Sequence, residues 1–239
     1  GEGDIDFILF GDSHSLSLTS LIDEKGKQRG VKIFYTGASG CLPFVGIHPK
    51  RNDQYKNNCN LLNERVHQFA KDSKVKGIIL SARWSYYTLG DYDFRGAQLI
   101  SDKANGPFTL QHSIDSFSNA LDATVKKYTS IEVPIHLITQ PPHQKYLPEN
   151  VYFMIEQGRG SIEDWSVKRA DFEKLNEIPV NAFSRYKNRI DVYNITNLFC
   201  DESICPIGEK ARSFYYDNDH LSTYGALKLS NTIESIFSE

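Results

Sequence analysis

A serine, a histidine and an aspartate stand far apart in this sequence, yet their settings suit one reaction. Ser13 closes the stretch Phe7-Ile8-Leu9-Phe10-Gly11-Asp12-Ser13, an apolar run stopped by Gly-Asp-Ser. A hydroxyl is a weak nucleophile near neutral pH. It needs an imidazole to take its proton and a carboxylate to hold that imidazole in the right tautomer. Asp217-Asn218-Asp219-His220, near the other end of the chain, supplies both. Asp217 lies three residues before His220, so a turn can set its carboxylate against Nδ1 while Nε2 faces the serine. Asp219, directly beside the histidine, is expected to point elsewhere, and His14 to make a structural hydrogen bond rather than to act as the base.

These residues need a frame that brings positions 13 and 220 together, and the hydrophobic pattern provides one. Apolar runs predict strands at Asp4 to Phe10, Val31 to Tyr35, Val75 to Leu80, Ile135 to Thr139 and Ile190 to Asn194. Between them, Leu18, Leu21 and Ile22, then Leu62, Val66 and Phe69, then Ile114, Phe117, Leu121, Val125 and Tyr128 recur at helical spacing. Ile162 to Arg189 reads as mostly helical with an interruption at Pro179, and Ala226, Leu229, Ile233 and Phe237 form a closing helix. Gln140 to about Gly160 reads as loop. Strands alternating with helices predict a three-layer α/β/α sandwich around a mostly parallel five-stranded sheet, in one domain over residues 1–239. In such sheets ligands bind at the carboxyl ends of the strands. That edge collects Ser13, Gly40 after the second strand, Ser81-Ala82-Arg83-Trp84 after the third, and the Asp217 to His220 turn.

Composition excludes several classes of function. The net charge of −3 comes from mixed charges without basic blocks, so nucleic acid is not expected as a partner. Apolar runs such as Phe7 to Phe10 fall far short of the roughly 20 residues of a membrane helix. The start, Gly1-Glu2-Gly3, carries no basic segment followed by an apolar one and is expected to be a cloning scar or the edge of a domain cut from a longer chain. Neither His-Glu-x-x-His nor Cys-x-x-Cys spacing is present, so neither a metal nor a cofactor is expected. Four cysteines in loop-like settings predict two disulfides and an oxidising compartment, with Cys41–Cys59 and Cys200–Cys205 as the expected pairs. Spacing alone does not fix that connectivity, and four free thiols are the alternative.

Gly11-Asp12-Ser13-His14-Ser15 and Asp217-Asn218-Asp219-His220-Leu221-Ser222 resemble the first and last sequence blocks of the SGNH hydrolase superfamily. More narrowly, Gly40-Cys41-Leu42-Pro43, Ser81-Ala82-Arg83-Trp84, Cys200, Cys205 and Leu221-Ser222-x-x-Gly225-Ala226 resemble the SGNH domains fused to the C-terminus of bacterial acyltransferase-3 membrane proteins. Those proteins O-acetylate cell-surface polysaccharides. The resemblance implies Ser13 as nucleophile, His220 as base and Asp217 as its orienting carboxylate. It implies an oxyanion hole built from the Ser13 backbone N–H and Gly40, whose other reading is an ordinary turn glycine. The superfamily's third donor, an asparagine in a Gly-x-Asn-Asp block, is missing; Arg83 stands there as its candidate replacement, with Trp84 beside it for substrate. Trp84, Tyr86, Tyr87 and Tyr92 together offer an aromatic platform for a sugar ring, or simply packing. The activity implied is transfer of an acyl group, expected to be acetyl, from a membrane acyltransferase partner to a polysaccharide such as lipopolysaccharide O-antigen. The setting implied is periplasmic and tethered to the inner membrane. The alternatives are a free-standing carbohydrate esterase and a catalytically idle glycan-binding module.

Overall fold

The computed structural model describes residues 4–238, so the Gly1-Glu2-Gly3 start lies outside it. Five parallel strands form the central sheet: β1 (Phe7–Gly11), β2 (Ile33–Gly37), β3 (Gly77–Ser81), β4 (Ile135–Ile138) and β5 (Asp191–Tyr193), in the order β2-β1-β3-β4-β5. Every residue of β1, β3 and β4 is buried, as expected for central strands covered on both faces. Alternate side chains divide between two cores. Ile8, Phe10, Ile78, Leu80, Ile135 and Leu137 pack on one face, and Phe7, Leu9, Ile79 and Ile138 on the other. The expected α/β/α sandwich is thus the fold.

The order reverses direction between β1 and β3. The chain leaves β1 for β2 on one side and then crosses back to β3 on the other, leaving a crevice at the carboxyl ends of β1 and β3. Ser13 follows β1 and Arg83 follows β3 across this crevice. The two strands converge so closely there that a Cβ on Gly11 would stand 1.7 Å from the Ser81 carbonyl oxygen. Only glycine fits that position.

The first four α-helices in chain order are α1 (Ser13–Leu16), α2 (Thr19–Arg29), α3 (Asp53–Ser73) and α4 (Leu110–Thr129). The second expected helix begins seven residues before the predicted Asn60, because Asn52 caps it by accepting the Tyr55 N–H. Two expectations fail. Pro148–Glu156, read as loop, is a helix that starts with proline at its first turn, where the missing N–H is not needed. Pro179 does not interrupt its segment; Arg169–Ser184 runs through it. The break comes earlier, at Val167–Lys168, which pair with Ile204–Cys205 as a two-stranded ribbon. Both disulfides form as paired in the expectation, Cys41–Cys59 and Cys200–Cys205, and the first ties the loop carrying Gly40 to α3.

Candidate active site

Asp12 builds the turn that presents Ser13. Its carboxylate accepts the His14 N–H at 2.9 Å, capping α1, and with the other oxygen accepts the Arg83 backbone N–H at 3.1 Å and the Tyr87 hydroxyl at 2.9 Å. One buried side chain therefore ties the loop after β1 to the loop after β3. Sequence reasoning gave Asp12 no role beyond ending the strand.

The last turn is held as firmly. Tyr215 bridges Leu221, the Tyr216 N–H donates to the His220 carbonyl at 2.8 Å, and Asp217 Oδ1 accepts the N–H groups of Asp219 and His220 at 2.9 and 2.8 Å. This leaves Asp217 Oδ2 2.8 Å from His220 Nδ1, and His220 Nε2 2.8 Å from Ser13 Oγ. The two ends of the sequence thus meet in one hydrogen-bonded chain, Ser13–His220–Asp217. With His220 neutral and Nδ1 protonated, the ring donates to the aspartate and accepts from the serine, the arrangement that lets a hydroxyl attack while it loses its proton.

Asp219 does not point elsewhere as expected. Its Oδ1 lies 3.0 Å from His220 Nδ1, its Oδ2 accepts from Arg83 Nη1 at 2.7 Å, and His14 Nε2 stands 3.4 Å from Oδ2. The Asx turn made by Asp217 folds residue 219 back under the histidine, which spacing alone does not reveal. Burial would raise the Asp219 carboxyl, but hydrogen bonds with His14 and His220 and the nearby Arg83 charge hold it well below the usual carboxylate range. His14 makes the structural contact expected of it, with its ring 4.8 Å from that of His220. His220 is raised to about 9, first by its hydrogen bond with Asp219, against an opposing effect of burial, and further by Asp217. His14, Asp219 and His220 are also the one group of potential metal ligands among the described residues. The Arg83 guanidinium already supplies a positive charge on Asp219, and His220 turns Nε2 to Ser13, so the set does not fit a cation.

Arg83 reaches the site, but its Nη1 is committed to Asp219, while its buried Nε has no hydrogen-bond partner among the described residues. Beyond Asp219, its Nη2 faces His143 Nε2 at 3.5 Å and Asp91 Oδ2 at 3.8 Å, and its guanidinium lies over the Tyr86 ring at 5.4 Å. Trp84 has to be corrected. It is only 1% exposed, donates Nε1–H to the Ile138 carbonyl at 2.9 Å and stacks on Phe44, because the single turn Trp84–Tyr87 directs it into the core. It cannot touch a substrate. Tyr87 is buried likewise and Tyr92 stacks on His143, so of the aromatic platform Tyr86 remains, half-buried under Arg83. Gly40 adopts φ +69, a left-handed conformation natural to glycine, and a Cβ there would meet the Arg51 guanidinium at 2.8 Å. The Ala38 N–H donates to the Gly11 carbonyl at 3.3 Å, which anchors the start of its loop beside the Ser13 turn. A groove of about 690 Å³ lies between α2 and β2 against Leu9, Leu16, Ile22, Phe34 and Tyr35, and none of the site residues borders it.

A family model described as the SGNH domain fused to AT3 domains matches residues 1–235. The chain belongs to this SGNH family. No curated protein sequence matches it. Among solved structures, the SGNH chain is similar to the periplasmic domain of the lipopolysaccharide acetyltransferase of Salmonella ser. Paratyphi A, with TM-score 0.71, 15% identity, and coverage of 100% of this chain and 85% of the other. It is also similar to Axe2, an acetyl-xylooligosaccharide esterase from Geobacillus stearothermophilus, with TM-score 0.57, 11% identity, and coverage of 100% and 96%. A putative acylhydrolase from Bacteroides fragilis follows, with TM-score 0.53, 10% identity, and coverage of 100% and 88%. At these identities the likeness establishes the fold.

Proposed function

We propose that this SGNH domain is a serine O-acyltransferase that passes an acyl group, acetyl, to a hydroxyl of a bacterial cell-surface polysaccharide such as O-antigen. The observation that carries the reading is the Ser13–His220–Asp217 chain, with 2.8 Å at each link. Ser13 Oγ attacks the donor's carbonyl carbon as His220 Nε2 takes its proton. The tetrahedral oxyanion is held by the backbone N–H groups of Ser13 and Gly40, and collapses to acyl-Ser13 as the leaving group takes the proton from His220. The acceptor hydroxyl then gives its proton to His220 and attacks the acyl-serine, which restores Ser13 and releases the ester.

The fusion to AT3 domains that describes this family supports a membrane acyltransferase as the source of the acyl group. The two disulfides support a periplasmic, oxidising setting, with the parent protein tethering the domain to the inner membrane. No helix among the described residues is long and apolar enough to cross a membrane. Arg83, tied to Asp219, is a weaker candidate for the third oxyanion donor than its place in the sequence implies. A site missing one donor of this kind forgoes about 2.7–4 kcal/mol of transition-state stabilisation.

Hydrolysis is the second reading. The side chains of His220 and Asp217 are 29% and 33% exposed, so water has access to the site. An activated acetyl ester, supplied with and without acceptor glycan, tests both. Transfer predicts acetylated glycan that Ser13→Ala abolishes; ester loss with no glycan product identifies an esterase; turnover unaffected by Ser13→Ala overturns the serine mechanism. Alkylation without reductant is expected to leave the mass unchanged, since both disulfides are closed.

A further inference from the structure

His220 has more partners than its proposed reaction requires. Its Nδ1 lies between two carboxylates, Asp217 Oδ2 at 2.8 Å and Asp219 Oδ1 at 3.0 Å. The two differ in every other respect. Asp217 is one-third exposed and is positioned by backbone N–H groups of its own turn. Asp219 is buried and is gripped by Arg83 from the loop after β3, which itself hangs on Asp12 through its backbone N–H.

We propose that Asp219 is a second carboxylate orienting His220, and that Arg83 is the positioning residue that clamps it there. The clamp explains why an arginine occupies the place after β3. Arg83 Nη1 holds one oxygen of Asp219, which leaves the other turned to the histidine. The remaining groups facing this cluster are His14 on Asp219, Tyr86 beneath the guanidinium, and His143 and Asp91 on its far side. None of them competes for His220 Nδ1. Through Arg83 the histidine is coupled to the strand end opposite Ser13, so the crevice is bridged twice: by Asp12 through the backbone and by Asp219 through side chains. The raised His220 agrees with this arrangement, since its hydrogen bond with Asp219 is the largest cause of the rise.

The inference rests on the serine mechanism above, and its test is chosen to be independent of turnover. In Ser13→Ala protein, which cannot form an acyl-serine, NMR titration of the His220 ring reads its midpoint directly. We expect a midpoint near 9 that falls by about one unit or more on adding Asp219→Asn. In protein that keeps Ser13, Asp219→Asn should lower kcat by about tenfold on the high-pH plateau while KM holds, and move the lower limb of the pH profile down with the NMR midpoint. Arg83→Lys, which retains a cation, should restore part of what Arg83→Met loses. If Asp219→Asn strands Arg83 and the protein does not fold, the charge-balanced pair Asp219→Asn/Arg83→Met leaves no unpaired buried ion and reads the same downward shift. An unchanged His220 midpoint in the folded variant overturns the clamp, whatever the ester assay shows. Turnover that survives Ser13→Ala overturns the serine mechanism and leaves the titration result standing.

Discussion

Two histidine–carboxylate pairs lie on either side of Arg83, nearly identical in geometry and opposite in consequence. His220 Nδ1 stands 2.8 Å from Asp217, and His143 Nε2 stands 2.7 Å from Asp91. His220 is raised to about 9, whereas His143 is lowered, chiefly by its complete burial and further by the Arg83 charge, against the pull of Asp91. In return His143 holds the Asp91 carboxyl down at about 2. The lesson is that a short contact with a carboxylate does not make a base. His220 has a second carboxylate, partial exposure to water and a hydroxyl on its other nitrogen. His143 has a neighbouring cation, no solvent, and an Nδ1 that finds no partner among the described residues. One pair is equipped to move a proton; the other braces the far side of Arg83.

The contrast breaks most readily at the reacting atoms. Ser13→Ala or His220→Ala should reduce ester turnover by as much as ~10^6-fold, and the double variant by scarcely more than either alone, because the two act as a unit. His143→Gln should cost far less turnover per folded molecule; an equal loss would erase the distinction between the pairs.

The pH profile sharpens it next. A histidine raised to about 9 is protonated below that pH and cannot accept the Ser13 proton, so turnover should climb roughly fiftyfold between pH 7 and pH 9. The reference value for histidine, about 6.5, would instead put the fall in activity below neutrality. A measured limb near 6.5 would mean that the two carboxylates do not act on His220 as their distances imply.

Stability variants complete the series. Asp12→Ala strands three donors, the His14 and Arg83 N–H groups and the Tyr87 hydroxyl, and should cost about 3 kcal/mol in urea denaturation. Since Asp12 fixes the separation of the strand ends that carry Ser13 and Arg83, turnover should fall with it. Smallest is His143→Gln, at about 1–2 kcal/mol of stability, because a glutamine amide can still donate to Asp91.

Much of this was legible in the order of residues. Apolar runs of strand length and helical periodicities between them lead to the five-stranded sandwich, since burial on both faces leaves that pattern in any parallel sheet. Gly-Asp-Ser after the first strand and Asp-x-x-His near the end pointed to the two halves of the candidate site, because the chemistry demands those residue types and the two segments resemble the family's first and last blocks. The helix at Pro148–Glu156 escaped because a proline at its start reads as a breaker unless the first turn is recognised. Trp84 was misplaced because a strand-end residue can face either the crevice or the core, and only the single turn Trp84–Tyr87 chooses between them.

What the sequence determined by itself, then, is the five-stranded α/β frame and the candidates for nucleophile and base, Ser13 and His220, which follow from local pattern and from the family's sequence blocks. Tertiary structure alone decided that Arg83 is bound to Asp219 and that Asp12 joins two strand ends. Those are contacts between residues 71 and 136 positions apart, and no local signal carries them.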